Sequence, residues 1–154
     1  AASDVYKRQN VEHYDGEAWT GGGAIPTNVW SNGCFGIQTA AVSVGSEPNT
    51  TNYVFEYDGS SWTTGGTMNS IRSYVGTAGT LTAGIIFGGN SGTADGKTES
   101  WNGSAWTEIS DLSTARAAGG SANASPNKAC LYFGRSPATA ATEEFSAIGT
   151  VAVD

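Results

Sequence analysis

The sequence predicts an all-β fold assembled from a repeated four-strand unit, and three observations lead there. The first is composition: the 154 residues include 22 Gly, 14% are charged and 10% are aromatic. Such a mixture suits strands joined by tight turns. A disordered chain would carry fewer aromatics and more charge. The second is a period. The aromatic residue that opens each unit falls at Tyr14, Tyr57, Trp101 and Phe145, in steps of 43, 44 and 44 residues. The tryptophan that closes it falls at Trp19, Trp62 and Trp106, in steps of 43 and 44. Ile25, Met68 and Leu112 keep the same spacing. Arg72 and Arg116 stand 44 apart, with Asn28 set at the equivalent place in the first unit. The third is the local pattern, in which apolar residues alternate or form short runs bounded by Gly, Asn or Asp. No segment carries a helical period.

Taken in chain order, residues 11–23 supply the last two strands of a unit, two complete units follow, and residues 116–148 supply three strands of a last one. The unit that begins at Arg72 shows the elements best. A first strand is predicted near Tyr74–Thr77, with a turn at Gly79–Thr82. A second covers Gly84–Phe87 and ends at Gly88-Gly89. The polar loop NSGTADG leads to a third at Lys97–Trp101. Asn102-Gly103 then turns the chain into a fourth, Ala105–Ile109. Asp15-Gly16 and Asp58-Gly59 hold that place in the other copies, and the Asx-Gly pair predicts a two-residue type I′ hairpin, in which both central residues have φ > 0.

Four short strands repeated every ~40–50 residues are the pattern of a β-propeller blade. The segments TMNSIRSYVGTAG (Thr67–Gly79), GIIFGG (Gly84–Gly89) and KTESWNGSAW (Lys97–Trp106) resemble a kelch repeat. The resemblance covers roughly residues 11–148. Its departures are Val44-Gly45-Ser46 in the first unit, Phe133-Gly134-Arg135 in the last, and Thr150 where the closing Trp is due. The chain thus holds about three blades, whereas closed propellers have about 4–8. The expected architecture is a partial propeller, or a ring that a second copy or further upstream blades complete through open strand edges.

Residues 1–9 stand apart. DVYKRQ (Asp4 to Gln9) resembles a translated transposon-end sequencing adapter, so the expected division is an adapter-derived tail, 1–9, and a repeat domain, 10–154. Such a segment is set aside before fold reasoning. Without it the net charge of −7 becomes −8.

The charge sets the partner classes. With no basic run the chain lacks the footprint of nucleic-acid binding, and no apolar stretch of ~18 residues exists to span a bilayer. Cys34 and Cys130 read as buried small hydrophobes, with a disulfide or a metal site as alternatives. One histidine, His13, and no nucleophile signature argue against an enzyme. Zinc or copper would want several His or Cys ligands, so no cofactor or metal is expected. Glu12, Glu99 and Glu143 recur two residues before the opening aromatic, with Phe55 in the remaining copy, and read as solvated or ladder-facing strand positions. Calcium is the alternative there, although no calcium-loop motif is present. The DGxxW pattern also resembles a shortened aspartate box of sialidase propellers, where it is a blade turn and not the catalytic centre.

In kelch propellers the equivalent arginines open toward one mouth of the central channel. The resemblance therefore implies Arg72, Ser73, Arg116 and Asn28 as a ligand-facing ring; the alternative is an arginine that packs on the neighbouring blade or bonds its carbonyls. Tyr53 and Tyr74 are candidates to stack on sugars. Tyr14, Trp19, Tyr57, Trp62, Trp101, Trp106 and Phe145 are expected as packing aromatics. The implied function is a non-catalytic binding or adhesion module of a phage virion or microbial surface structure, recognising a carbohydrate or a protein. A self-assembling filament or tube subunit is the alternative, and a glycosidase-like propeller enzyme ranks third.

Overall fold

A computed structural model describes residues 11–47, 52–123, 129–134 and 140–146. The adapter-like segment, Arg135 and Thr150 lie outside them. Among the described residues thirteen strands form four antiparallel sheets, each ordered as its strands follow in the chain. A two-strand sheet pairs β1 (Glu12–Tyr14) with β2 (Trp19–Gly21). The first full sheet holds β3 (Gly33–Ile37), β4 (Ala40–Val44), β5 (Val54–Tyr57) and β6 (Trp62–Thr64). The second holds β7 (Gly76–Thr80), β8 (Ala83–Phe87), β9 (Thr98–Trp101) and β10 (Trp106–Ile109). The last holds β11 (Gly120–Asn123), β12 (Ala129–Phe133) and β13 (Thr142–Ser146). The expected division into units is the observed one, and the sheets follow one another as propeller blades do.

Two local expectations need correction. The strand expected at Tyr74–Thr77 starts only at Gly76, because Tyr74 has a left-handed backbone (φ 54°) that no strand accommodates. The hairpins are also not type I′ turns, since only Gly16, Gly59 and Gly103 have positive φ (108°, 96° and 93°). The residue before each glycine closes the turn with its side chain instead. Asp58 Oδ1 accepts the N–H groups of Ser60 (2.8 Å) and Ser61 (2.7 Å). Asp15 does the same for Glu17 and Ala18, and Asn102 for Ser104 and Ala105. The position asks for a short side-chain acceptor, which is why Asp and Asn interchange there.

Successive sheets pack face to face. Phe35, Val42, Val44 and Val54 of the first full sheet meet Met68 and Ile86, Trp101 and Trp106 of the second unit in one core. One unit later, Ala78, Ile85 and Phe87 meet Cys130 and Tyr132, with Ile109, Leu112 and Phe145 at the margin. The first strands, β3, β7 and β11, lie side by side. Thr77 ties them, its hydroxyl donating to Cys34 O (2.7 Å) and its N–H to Ser121 Oγ (3.3 Å). Close approach of one unit to the next depends on Gly45 and Gly88. A Cβ on either would stand 2.3 Å from Arg72 O or 2.5 Å from Arg116 O.

The signature aromatics form one cross-strand pair per hairpin, with ring centroids 5.1 Å apart for Tyr14–Trp19, 4.8 Å for Tyr57–Trp62 and 5.1 Å for Trp101–Trp106. Their burial differs. Trp101 and Trp106 are in the core, Tyr57 is buried, and Trp62 and Phe145 are half-buried. Tyr14 and Trp19 are 48% and 66% exposed, because no described sheet lies against their side of the β1–β2 pair. Cys34 is likewise exposed, since its strand faces no described sheet on one side, while Cys130 is buried; both are free thiols. Burial pushes the Cys130 thiol up to about 11, so it is inert.

Candidate functional site

Antiparallel order sends the loops between units to one rim and the Asx-closed hairpins to the other. On the first rim, each unit enters its first strand through a residue with left-handed backbone: Ser31 (φ 57°), Tyr74 (54°) and Ala118 (55°). For residues other than glycine this costs roughly 1–3 kcal/mol each. Hydrogen bonds between the units offset it. Tyr74 N–H donates to Ser31 O (2.8 Å), and Ala118 N–H donates to Tyr74 O (3.1 Å). The three form a ladder from unit to unit around the first strands.

Beside this ladder, Trp30 bridges Glu47 and Ser73 bridges Asn90, each through two backbone hydrogen bonds. Ser73 Oγ donates to Glu47 Oε1 (3.2 Å), joining the two bridges. Trp30 is 40% exposed and Tyr74 39%. Tyr53 and Ile71 are exposed on the same rim. Between the first strands runs a polar groove of about 240 Å³, lined by Cys34, Gly36, Thr77, Gly79 and Ser121.

The structure distributes the expected ring differently. Arg72 is wholly buried, and its guanidinium bonds Glu99 Oε1 (2.7 Å) and the carbonyls of Gly88 (3.0 Å) and Lys97 in its own sheet. Glu99, also wholly buried, accepts the N–H groups of Asn69 (2.8 Å) and Ser70 (3.2 Å). This is a latch between the loop entering the sheet and its third strand, so Glu99 is no solvated position. Arg116 repeats it, its guanidinium bonding Glu143 and Ala141 O (3.2 Å) while Glu143 accepts the Ser113 N–H. Partial burial pushes the Glu143 carboxyl up, but hydrogen bonds from Ser113 and the charge of Arg116 outweigh it, leaving it below its ordinary value. Neither guanidinium is presented to a ligand. Ser73 is buried, with its hydroxyl on Glu47. Glu12 is exposed on β1.

Asn28 is not the counterpart of Arg72. Counting back from the left-handed residues Ser31 and Tyr74 places Val29 there, 2% exposed, and matches Asn28 to the exposed Ile71. The first step is 43 residues and not 44 at this point. Val29 packs with Phe55, which stands where Glu99 does, and with Ile25 and Trp62. Sequence reasoning saw both exceptions, in the arginine series and in the glutamate series, and both fall in the same unit. That coincidence was the signal that the two residues are partners.

His13 Nε2 lies 2.6 Å from the Tyr57 hydroxyl, between the two-strand sheet and its neighbour. Among the described residues no group of three or more His, Cys, Asp or Glu is placed to hold a metal ion. The rim thus offers stacking surfaces and hydrogen-bonding groups.

No protein-family profile matches the chain, and no curated protein resembles it in sequence. The solved structure of YjhT overlays on it with a TM-score of 0.68 at 16% sequence identity. It is a likeness of fold. The overlay takes in 88% of this chain and 48% of that one, so the chain spans about half the length of the structure it matches.

Proposed function

We propose that the chain is a non-catalytic binding module, kelch-like in its repeats, which presents the loop rim of a rigid β-scaffold to a carbohydrate or protein receptor. The setting that suits it is a phage virion or a microbial surface. One observation carries this reading: Trp30 and Tyr74 stand exposed at the rim, on neighbouring units locked by the backbone ladder through Ser31. Exposed aromatics fixed on a stiff frame supply stacking area at little ordering cost. Glu47 and Asn90, both half-buried, set hydrogen-bonding groups beside them. The acidic balance, with a net charge of −7, favours neutral or cationic ligands over polyanions.

A glycan array probed with the purified chain, followed by the Trp30→Ala/Tyr74→Ala variant, tests it. Binding that falls at least tenfold in the variant, with unchanged thermal unfolding, supports the rim as the site. Binding that persists in the variant would place the site elsewhere, and a blank array would reject carbohydrate recognition.

A further inference from the structure

The sequence holds two Asn-Gly pairs, Asn32-Gly33 and Asn102-Gly103, and the fold treats them oppositely. Asparagine before glycine is prone to lose its side-chain amide, because glycine brings no side chain to hinder its own backbone nitrogen from approaching the asparagine Cγ. Asn32 leads into β3. Gly33 is buried opposite Val44 in the ladder, and a Cβ on it would stand 2.4 Å from Thr77 Cγ2. The Asn32 amide nitrogen donates to Ser43 Oγ (2.8 Å). Both reacting groups are held in place there.

Asn102 lies between β9 and β10 on the hairpin rim. It is exposed, and Gly103 is half-buried with φ 93°. Among the described residues the Gly103 N–H donates no hydrogen bond. Asn102 Oδ1 accepts three donors: the N–H groups of Ser104 (2.9 Å) and Ala105 (2.9 Å) and the Ser104 hydroxyl (3.0 Å). Attack at Cγ puts negative charge on this oxygen. Donors already aimed at an oxygen where charge develops stabilise the intermediate that carries it. The turn that closes the hairpin therefore also favours the breakdown of its own amide.

We infer that Asn102 is a site of spontaneous deamidation, and that the hairpin accepts the aspartate formed there. The Gly103 nitrogen gives up its proton and bonds Cγ, the Cγ–Nδ2 bond breaks, and ammonia leaves with that proton. Water then opens the cyclic imide. Cleavage of the new N–Cγ bond leaves aspartate in an unaltered main chain, whereas cleavage of the bond to the Asn102 backbone carbonyl leaves isoaspartate. Water is the only co-reactant. Aspartate is what the other copies carry at this place, where Asp15 and Asp58 accept the equivalent N–H groups. Isoaspartate routes the main chain through an added methylene and breaks that pattern. Either product takes the net charge of −7 one unit lower. The change falls on the rim opposite Trp30 and Tyr74 and stands apart from ligand binding.

Peptide mapping by mass spectrometry tests this, on the folded chain aged in mildly alkaline buffer and on a parallel sample aged in denaturant. In the folded chain Asn102 should convert at least tenfold faster than Asn32, while in denaturant the two should convert at similar rates. Ser104→Ala, which removes one of the three donors, should slow the conversion of Asn102 at least twofold with the circular dichroism unchanged. Asn102→Asp should unfold at the denaturant midpoint of the wild-type chain, and its Ser104 and Ala105 amide resonances should move on acidification. Conversion of Asn32 in the folded chain at the rate of Asn102 would overturn the site. A rate indifferent to Ser104→Ala would remove the role of the turn donors, and a lowered midpoint in Asn102→Asp would show that the hairpin rejects the product.

Discussion

The first and second full sheets solve one packing problem with opposite chemistry. In the second, Arg72 and Glu99 bury a full ion pair, both at 0% exposure. In the first, Val29 and Phe55 take the same two places at 2% and 4% exposure and pack with Ile25 and Trp62. What the unit needs at this point is a filled space with no unsatisfied group. An ion pair is one answer, and an imperfect one, because the buried Arg72 Nε finds no hydrogen-bond partner. Taking two charges out of water costs several kcal/mol per ion, so an apolar pair of similar volume is often neutral or better. The last sheet sits between the two, its Arg116–Glu143 pair being partly open to solvent on the glutamate side.

The largest expected effect comes from breaking the ion pair on one side. Arg72→Met strands a buried carboxylate and should cost about 3–5 kcal/mol in denaturant unfolding. Next comes a contrast at one repeat position. Trp106→Ala, in the core at 7% exposure, should cost about 3–5 kcal/mol. Trp19→Ala, at 66% exposure, should stay within roughly 0.5 kcal/mol. Equal costs at the two positions would mean that burial is not what the signature tryptophans contribute.

The smallest effect is in the hairpins. Hydrogen bonds from Ala18 and Glu17 hold the Asp15 carboxyl below its ordinary value of 3.8, and those from Ser61 and Ser60 do the same to Asp58. A carboxylate lowered on folding adds stability above its unfolded value and loses it as pH falls through the folded one. The Ser60 and Ser61 amide resonances should therefore hold steady at neutral pH and move only below about pH 4. Those of Ser104 and Ala105, bonded to the neutral Asn102, should not move. Movement of both pairs together would implicate global acid unfolding instead.

Much of the scaffold was legible in the sequence, because the 43–44 residue period and the Gly-bounded apolar runs are local signals that the repeat averages. The strands of the second unit fall within a few residues of their expected places. Their starts are displaced where a left-handed residue such as Tyr74 intervenes, and that conformation is held by a hydrogen bond from another unit, which periodicity does not carry. The site was less legible. Arg72 and Arg116 look like ligand groups because exposed and buried arginines read alike in sequence, and only Glu99 and Glu143 decide between them. A one-residue shift between units also hid Val29 behind Asn28. Trp30 had no repeat partner to draw attention to it, since its counterpart is Ser73.

The central claim, that the units are interchangeable frames whose buried pair is a packing device, is tested most directly by copying one sheet's answer into the other. Arg72→Val, Glu99→Phe and the double variant form a complete cycle. The double variant should unfold within about 1 kcal/mol of the wild-type chain or above it, while Arg72→Val alone loses about 3–5 kcal/mol. A double variant at least as unstable as that single one would contradict the claim and make the ion pair itself indispensable to the fold.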